Sequence, residues 1–182
     1  MSNKIFDDFT FKERTPEEVI QRYSGKLPEE ILGIWHQYGF GSFLNGYLKF
    51  INPAQYVELL KEVYVRSEQA VPVAVTSMGD IIVWEKSRYL NLLNFRKMRV
   101  DVICAGFAFF LEDLNDISFL EEELSWEPYP EAVEIYGQPA FDECFGYVPL
   151  LGLGGTEKVE NLKKVKVMEH IYLTAQFFGP LE

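Results

Sequence analysis

Between residues 72 and 104 the chain packs four β-rich runs together with only tight turns between them, and that spacing restricts its topology more than any other feature. Pro72–Ser77 and Asp80–Glu85 flank Met78-Gly79, a hairpin signal; Tyr89–Phe95 and Met98–Cys104 flank Arg96-Lys97. Links this short join antiparallel neighbours, whereas a parallel crossover needs about a dozen residues. The middle of the chain is therefore expected to form an antiparallel meander. In Met98–Cys104 the alternation predicts Met98, Val100, Val102 and Cys104 on one face and Arg99, Asp101 and Ile103 on the other.

Helices flank this block. Thr15-Pro16-Glu17-Glu18 offers a capping hydroxyl, a proline suited to a first turn and a glutamate placed to close a capping box, and Ser24-Gly25 marks a stop. Leu27-Pro28-Glu29-Glu30 starts a second helix with Ile31, Leu32, Trp35 and Tyr38 at helical spacing, ended by Gly39. Phe40–Gly46 reads as a glycine-punctuated loop and Tyr47–Ile51 as a short strand. Asn52-Pro53 then caps a third helix carrying Tyr56, Leu59, Leu60 and Val63 on one face. Beyond Cys104, an apolar helix is expected over Phe107–Leu114, a short one from Asn115-Asp116 through Leu124 and another over Pro130–Tyr136. Tyr147–Leu153 reads as a buried strand. A last helix spans Val167–Phe178, with Met168, Ile171, Tyr172 and Ala175 at helical spacing and Gly179-Pro180 at its end. The expected class is α+β, a central and mostly antiparallel twisted sheet with flanking helices. The expected division is 1–106 and 107–182, packed as one compact body.

Charge divides the chain differently. From Val100 to Glu157 there are 13 carboxylates and no Lys or Arg, which leaves 15 acids against all 17 bases elsewhere. A field of one sign repels nucleic acid and anionic lipid and attracts a basic partner. Hydrophobic content of 48% supports a core. No apolar run approaches the ~18 residues of a membrane span, and Met1-Ser2-Asn3-Lys4-Ile5-Phe6-Asp7-Asp8 lacks a signal-peptide core. A cytoplasmic protein is expected, with Cys104 and Cys144 as free thiols.

Catalytic and metal motifs are sparse. His36 and His170 stand apart without His-x-x-x-His or Cys-x-x-Cys spacing, so neither metal nor cofactor is expected. A Cys144–His170 dyad with Asp142 has no nucleophile motif around it. Gly152-Leu153-Gly154-Gly155-Thr156 lacks the Lys-Ser/Thr of a phosphate loop and reads as a tight turn. Consecutive Glu121-Glu122-Glu123 point in different directions on a helix and do not converge. Lys163, Lys164 and Lys166 are too few to make nucleic acid a direct ligand.

Two patches carry a family resemblance. Leu27-Pro28-Glu29-Glu30-Ile31-Leu32, Trp35, Tyr38-Gly39, Gly41, Gly46 and Asn52-Pro53 resemble the opening of the GAD-like domain, related to the SUKH class of bacterial immunity proteins. Glu143-Cys144-Phe145-Gly146-Tyr147-Val148-Pro149, Leu153-Gly154-Gly155, Glu169-His170 and Gly179-Pro180 resemble immunity proteins against DNase effectors of the type VI secretion system. The resemblance implies no catalysis and a cognate protein toxin as partner, specifically a basic nuclease. The expected contact residues are Glu112, Asp113, Asp116, Glu121, Glu122, Glu123, Glu127, Glu131 and Glu134, with Trp126 and Tyr129 as aromatic anchors and Tyr136 interleaved. The alternative is a non-catalytic regulatory module that uses the same scaffold for another cellular partner.

Overall fold

The computed structural model describes residues 4–182; Met1, Ser2 and Asn3, part of the stretch read above for a signal peptide, lie outside the described residues. Seven strands form one sheet in sequence order, each antiparallel to the next: β1 (Thr10–Glu13), β2 (Phe40–Phe43), β3 (Leu48–Phe50), β4 (Ala70–Thr76), β5 (Ile81–Glu85), β6 (Tyr89–Asn94) and β7 (Arg99–Ala105). The expected meander is the centre of this sheet. Its hairpin at Met78-Gly79 uses a left-handed glycine, φ +83°.

Helices cover both faces, which explains why β4–β6 read as apolar runs rather than as alternating strands. On one face Val73, Ile82, Trp84, Leu90 and Leu92 pack against α1 (Glu17–Tyr23), α2 (Glu29–Tyr38), α4 (Phe107–Asp113), α5 (Ile117–Glu122) and α6 (Tyr129–Tyr136). On the other, Val75, Ile81, Val83 and Leu93 meet α3 (Pro53–Val63) and α7 (Val167–Phe178). A separate pair, β8 (Glu143–Tyr147) and β9 (Leu162–Lys166), sits beside α7. The tail returns to α3: Leu181 N–H donates to Val63 O at 2.8 Å, and Val65 N–H donates to Leu181 O at 2.9 Å.

Several local expectations change. Phe40–Phe43 is a strand and not a loop. Its Gly41 lets β1 approach, since a Cβ there would lie 2.6 Å from the Phe9 ring. The strand expected at Tyr147–Leu153 ends at Tyr147, and Leu151–Leu153 instead forms a 3-10 turn. In β7 the alternation breaks at a bulge, where Leu90 pairs with Cys104 but Asn91 with Val102. The extra residue shifts the phase, so Ile103 is buried while Val102 stands 62% exposed. Thr15 does not cap α1; its hydroxyl donates to Trp35 O at 3.1 Å and ties the helix start to α2. Asn52 does cap α3, accepting from Ala54 N–H at 3.0 Å. On α7 the buried stripe is Val167, Ile171, Thr174 and Ala175, with Tyr172 outside.

Candidate functional site

The acidic segment folds into three short helices on one face of the sheet, each fixed by a few large side chains. Phe107 and Phe110 anchor α4, Leu120 anchors α5, and Tyr129 and Ala132 anchor α6. Their burial directs the carboxylates outward: Glu112, Asp113, Asp116, Glu121, Glu122, Glu127, Glu131 and Glu134 are exposed, and Glu123 is half-buried. Asp116 also caps α5, its carboxylate accepting from Ser118 N–H at 2.9 Å.

Among the described residues none of these nine acids enters an ion pair, while others in the 100–157 block do. Asp101 meets Arg99 at 2.8 Å, and Lys166 meets Asp142 at 2.6 Å and Glu143 at 3.6 Å. The unneutralised charge is thereby concentrated on α4–α6. Such a layer projects a negative potential into solvent and favours a cationic partner surface.

A buried polar network holds this layer to the sheet. Arg96 donates from Nε and Nη2 to Asp80 Oδ2 at 3.0 and 2.5 Å, and from Nη1 to Ser125 O at 3.1 Å. Phe95 N–H donates to Asp80 Oδ1 at 3.0 Å. Burial alone would lower the Arg96 guanidinium's pKa, but Asp80 against it holds it above the ordinary value. Tyr47 O–H donates to Leu124 O at 2.6 Å, and Asn94 Nδ2 to Ser125 Oγ at 3.2 Å. Tyr47, Asn94 and Arg96 thus converge on Leu124-Ser125, the turn between α5 and α6.

The two expected aromatic anchors belong to that support. Trp126 is 8% exposed and Tyr129 fully buried. Their rings lie 4.7 and 5.0 Å from the Tyr47 ring, and Tyr129 O–H donates to Asn45 O at 2.8 Å. Neither ring faces a partner in this conformation, because the α5–α6 turn folds back over Tyr47. The exposed apolar side chains among the acids are Phe109, Ile117, Ile135 and Tyr136. Residue type alone does not separate these from Trp126 and Tyr129; helix phase and the packing of the α5–α6 turn on Tyr47 do. Phe109 points away from Phe107 and Phe110, and Ile135 away from Ala132.

The remaining polar candidates do not assemble into catalytic chemistry. Burial pushes the Cys144 thiol up to about 12, the reverse of an activated nucleophile. Asp142 is exposed and engaged with Lys166, and His36 is exposed on α2. Among the described residues no group of three His, Cys, Asp or Glu side chains is placed to hold a metal. Gly154 takes φ +91° and closes the turn after Leu151–Leu153. Lys163, Lys164 and Lys166 stand exposed along β9, a strand the sequence reading missed because three lysines in five residues resemble a solvated loop. Among the described residues no helix is long and apolar enough to cross a membrane.

Two family models match different parts of the chain. Residues 3–94 match the family model of the GAD-like domain, and residues 105–178 match the model described as T6SS immunity protein Tdi1, C-terminal. The crystal structure of Atu4351 from Agrobacterium tumefaciens superposes with a TM-score of 0.78 at 19% identity, over 97% of this chain and 89% of that one. At that identity the likeness concerns the fold alone. No curated protein matches the chain. The C-terminal match supports an immunity role in type VI secretion and with it a non-enzymatic one.

Proposed function

Because the chain belongs to the GAD-like domain family and carries a type VI immunity domain after it, we propose that it neutralises a cognate toxin, a basic nuclease, by binding it through the α4–α6 layer. One observation carries this reading: nine carboxylates on three consecutive helices and the turns between them, none with a cationic neighbour in ion-pair range among the described residues. A nuclease must hold phosphates with a cationic surface, so a layer of carboxylates competes for the same groups. Such charge complementarity raises encounter rates by about 10–10³-fold. Affinity then comes from apolar contact, for which Phe109, Ile117 and Ile135 stand exposed on the same helices. Binding takes place in the cytoplasm, where a nuclease would reach DNA.

Survival tests the proposal. A nuclease encoded beside this gene, expressed in a sensitive host, should kill; co-expression of this chain should restore growth and leave the DNA intact. Unchanged killing despite soluble expression of both proteins would refute the proposal.

A further inference from the structure

On the other side of the molecule α7 presents a second surface of different chemistry. Its outward face carries Tyr172, Leu173 and Phe177, and the loop after β8 adds Val148 and Leu153; Leu153 is 51% and Phe177 56% exposed. On the same side of the molecule a cavity of about 180 Å³ lies between the β6–β7 turn, the Leu150–Gly152 segment and α7. Phe95, Met98, Leu150, Leu151 and Phe178 form its apolar walls, and His170, Arg96 and Lys97 add polar groups.

The cavity depends on glycines at close approaches. A Cβ at Gly146 would lie 2.5 Å from the His170 ring, and one at Gly152 would lie 2.5 Å from the Phe178 ring. Gly79, in the left-handed region, admits the His170 ring from the opposite side, with 3.4 Å to a Cβ. Any side chain at Gly146 or Gly152 would displace one of the two rings that shape the cavity.

Size and charge together restrict the occupant. Pockets for drug-sized ligands run to about 300–1,000 Å³, so this one suits a single side chain. No acidic residue lines it, whereas Arg96 and Lys97 do. Glu127 and Glu157 lie further along, in a shallower recess that shares Arg96, Lys97 and Tyr147. Arg96 is already paired with Asp80, so Lys97 supplies the free positive charge at the cavity, and a lysine or arginine side chain would meet that like charge and apolar wall. An aromatic ring would bury against the walls and turn its electron-rich face to Lys97. Every residue of the loop and α7 that shapes the cavity falls within the segment matched by the immunity-protein model.

We infer that this cavity is a socket for one aromatic side chain of the toxin, walled by Phe95, Met98, Leu150, Leu151 and Phe178. The inference rests on the toxin-binding reading and adds to it a second contact, governed by burial and not by net charge. Aromatic anchors in desolvated pockets are the usual carriers of interface affinity.

Two probes test it. Titration of the ¹⁵N-labelled chain with p-cresol, the tyrosine side-chain analogue, should give saturable shifts at the Gly79, Gly146 and Gly152 amides, and n-butylammonium should give none. In Leu151→Trp, which fills the socket, those shifts should vanish. Lys97→Met, at an exposed turn position, should retain the fold and weaken p-cresol binding several-fold. Against the nuclease identified by the survival test, Leu151→Trp should bind at least about 10-fold more weakly while keeping the wild-type salt dependence. Equal response to both probes, or wild-type toxin affinity in Leu151→Trp, would overturn the socket and leave the acidic-layer reading standing. A wild-type chain that binds no nuclease would overturn the functional proposal itself, whatever p-cresol does.

Discussion

The α4–α6 layer and the α7 surface lie on opposite faces of one sheet, and they differ in how far their chemistry reaches. The first carries nine unpaired carboxylates over a thin apolar footing of Phe107, Phe110, Leu120 and Ala132. Its field extends about a Debye length, roughly 8 Å at physiological salt, and so acts before contact. The second surface, on α7 and the loop after β8, carries exposed apolar side chains such as Leu153, Leu173 and Phe177 and a cavity walled by Leu150, Leu151 and Phe178, and it acts only on contact. One surface is suited to setting the rate of encounter and the other to setting the lifetime of a complex. Arg96 joins them: its Nη1 holds the Ser125 carbonyl under the acidic layer, and its side chain lines the socket.

That shared residue gives the largest expected effect. Asp80→Ala leaves the Arg96 guanidinium, 7% exposed, without its carboxylate. Breaking a buried pair this way costs about 3–5 kcal/mol. Urea unfolding should report that loss, and amide exchange should accelerate in both the Leu124–Trp126 turn and the β6–β7 turn. Acceleration at only one of them would show that the two surfaces are supported independently.

Lys49 gives a smaller effect, tied to pH. It is buried in β3 and donates from Nζ to Ala140 O at 2.7 Å and to Glu143 O at 2.5 Å, anchoring the segment between α6 and β8. Burial lowers its pKa to about 8, against the attraction of Asp142 and Glu143. A folded-state pKa below the unfolded value of 10.5 means that the unfolded chain binds more protons between the two. Below about pH 8 the native state therefore carries the full cost of a buried ammonium, and the Lys49 contribution to stability rises as the pH climbs from about 8 to 10.5. The gain is about 3 kcal/mol. Denaturant melts should show stability climbing from pH 8 to 9 in the wild type and flat over that interval in Lys49→Met; above pH 9 the raised Cys144 thiol lowers stability in both. A rise of equal size in the variant would assign the titration to another group.

What the sequence disclosed follows the range of the forces involved. The β4–β7 meander, the Gly39 helix stop and the Asn52 cap are local, and turn chemistry together with spacing identifies them. The β7 bulge at Ile103 was invisible, because only the pairing of Leu90 with Cys104 creates it. Strand β2 was hidden by Gly41 and Ser42, residues selected for close packing against β1 and not for strand propensity. The same division runs through the site. The carboxylate block could be counted directly, and the Arg99–Asp101 pair is local to β7, but the partner of Asp142 and Glu143 depended on Lys166 arriving from β9. Residue type marks Trp126 and Tyr129 as aromatic anchors, and the fold packs both against Tyr47. The socket left no local signal at all. Gly79, Gly146 and Gly152 are ordinary turn and strand glycines until His170 and Phe178 lie against them.

The division of labour between a charged layer and an apolar surface is tested most directly by association kinetics. Glu121→Lys, Glu122→Lys and Glu123→Lys together reverse the centre of the α4–α6 layer. At low salt the triple variant should associate with the cognate nuclease at least about 10-fold more slowly than wild type. Its on-rate should also depend less on ionic strength, with the dissociation rate little altered. An unchanged on-rate with an unchanged salt slope would mean that these carboxylates merely solvate the surface, and the account of how this chain meets its partner would fail.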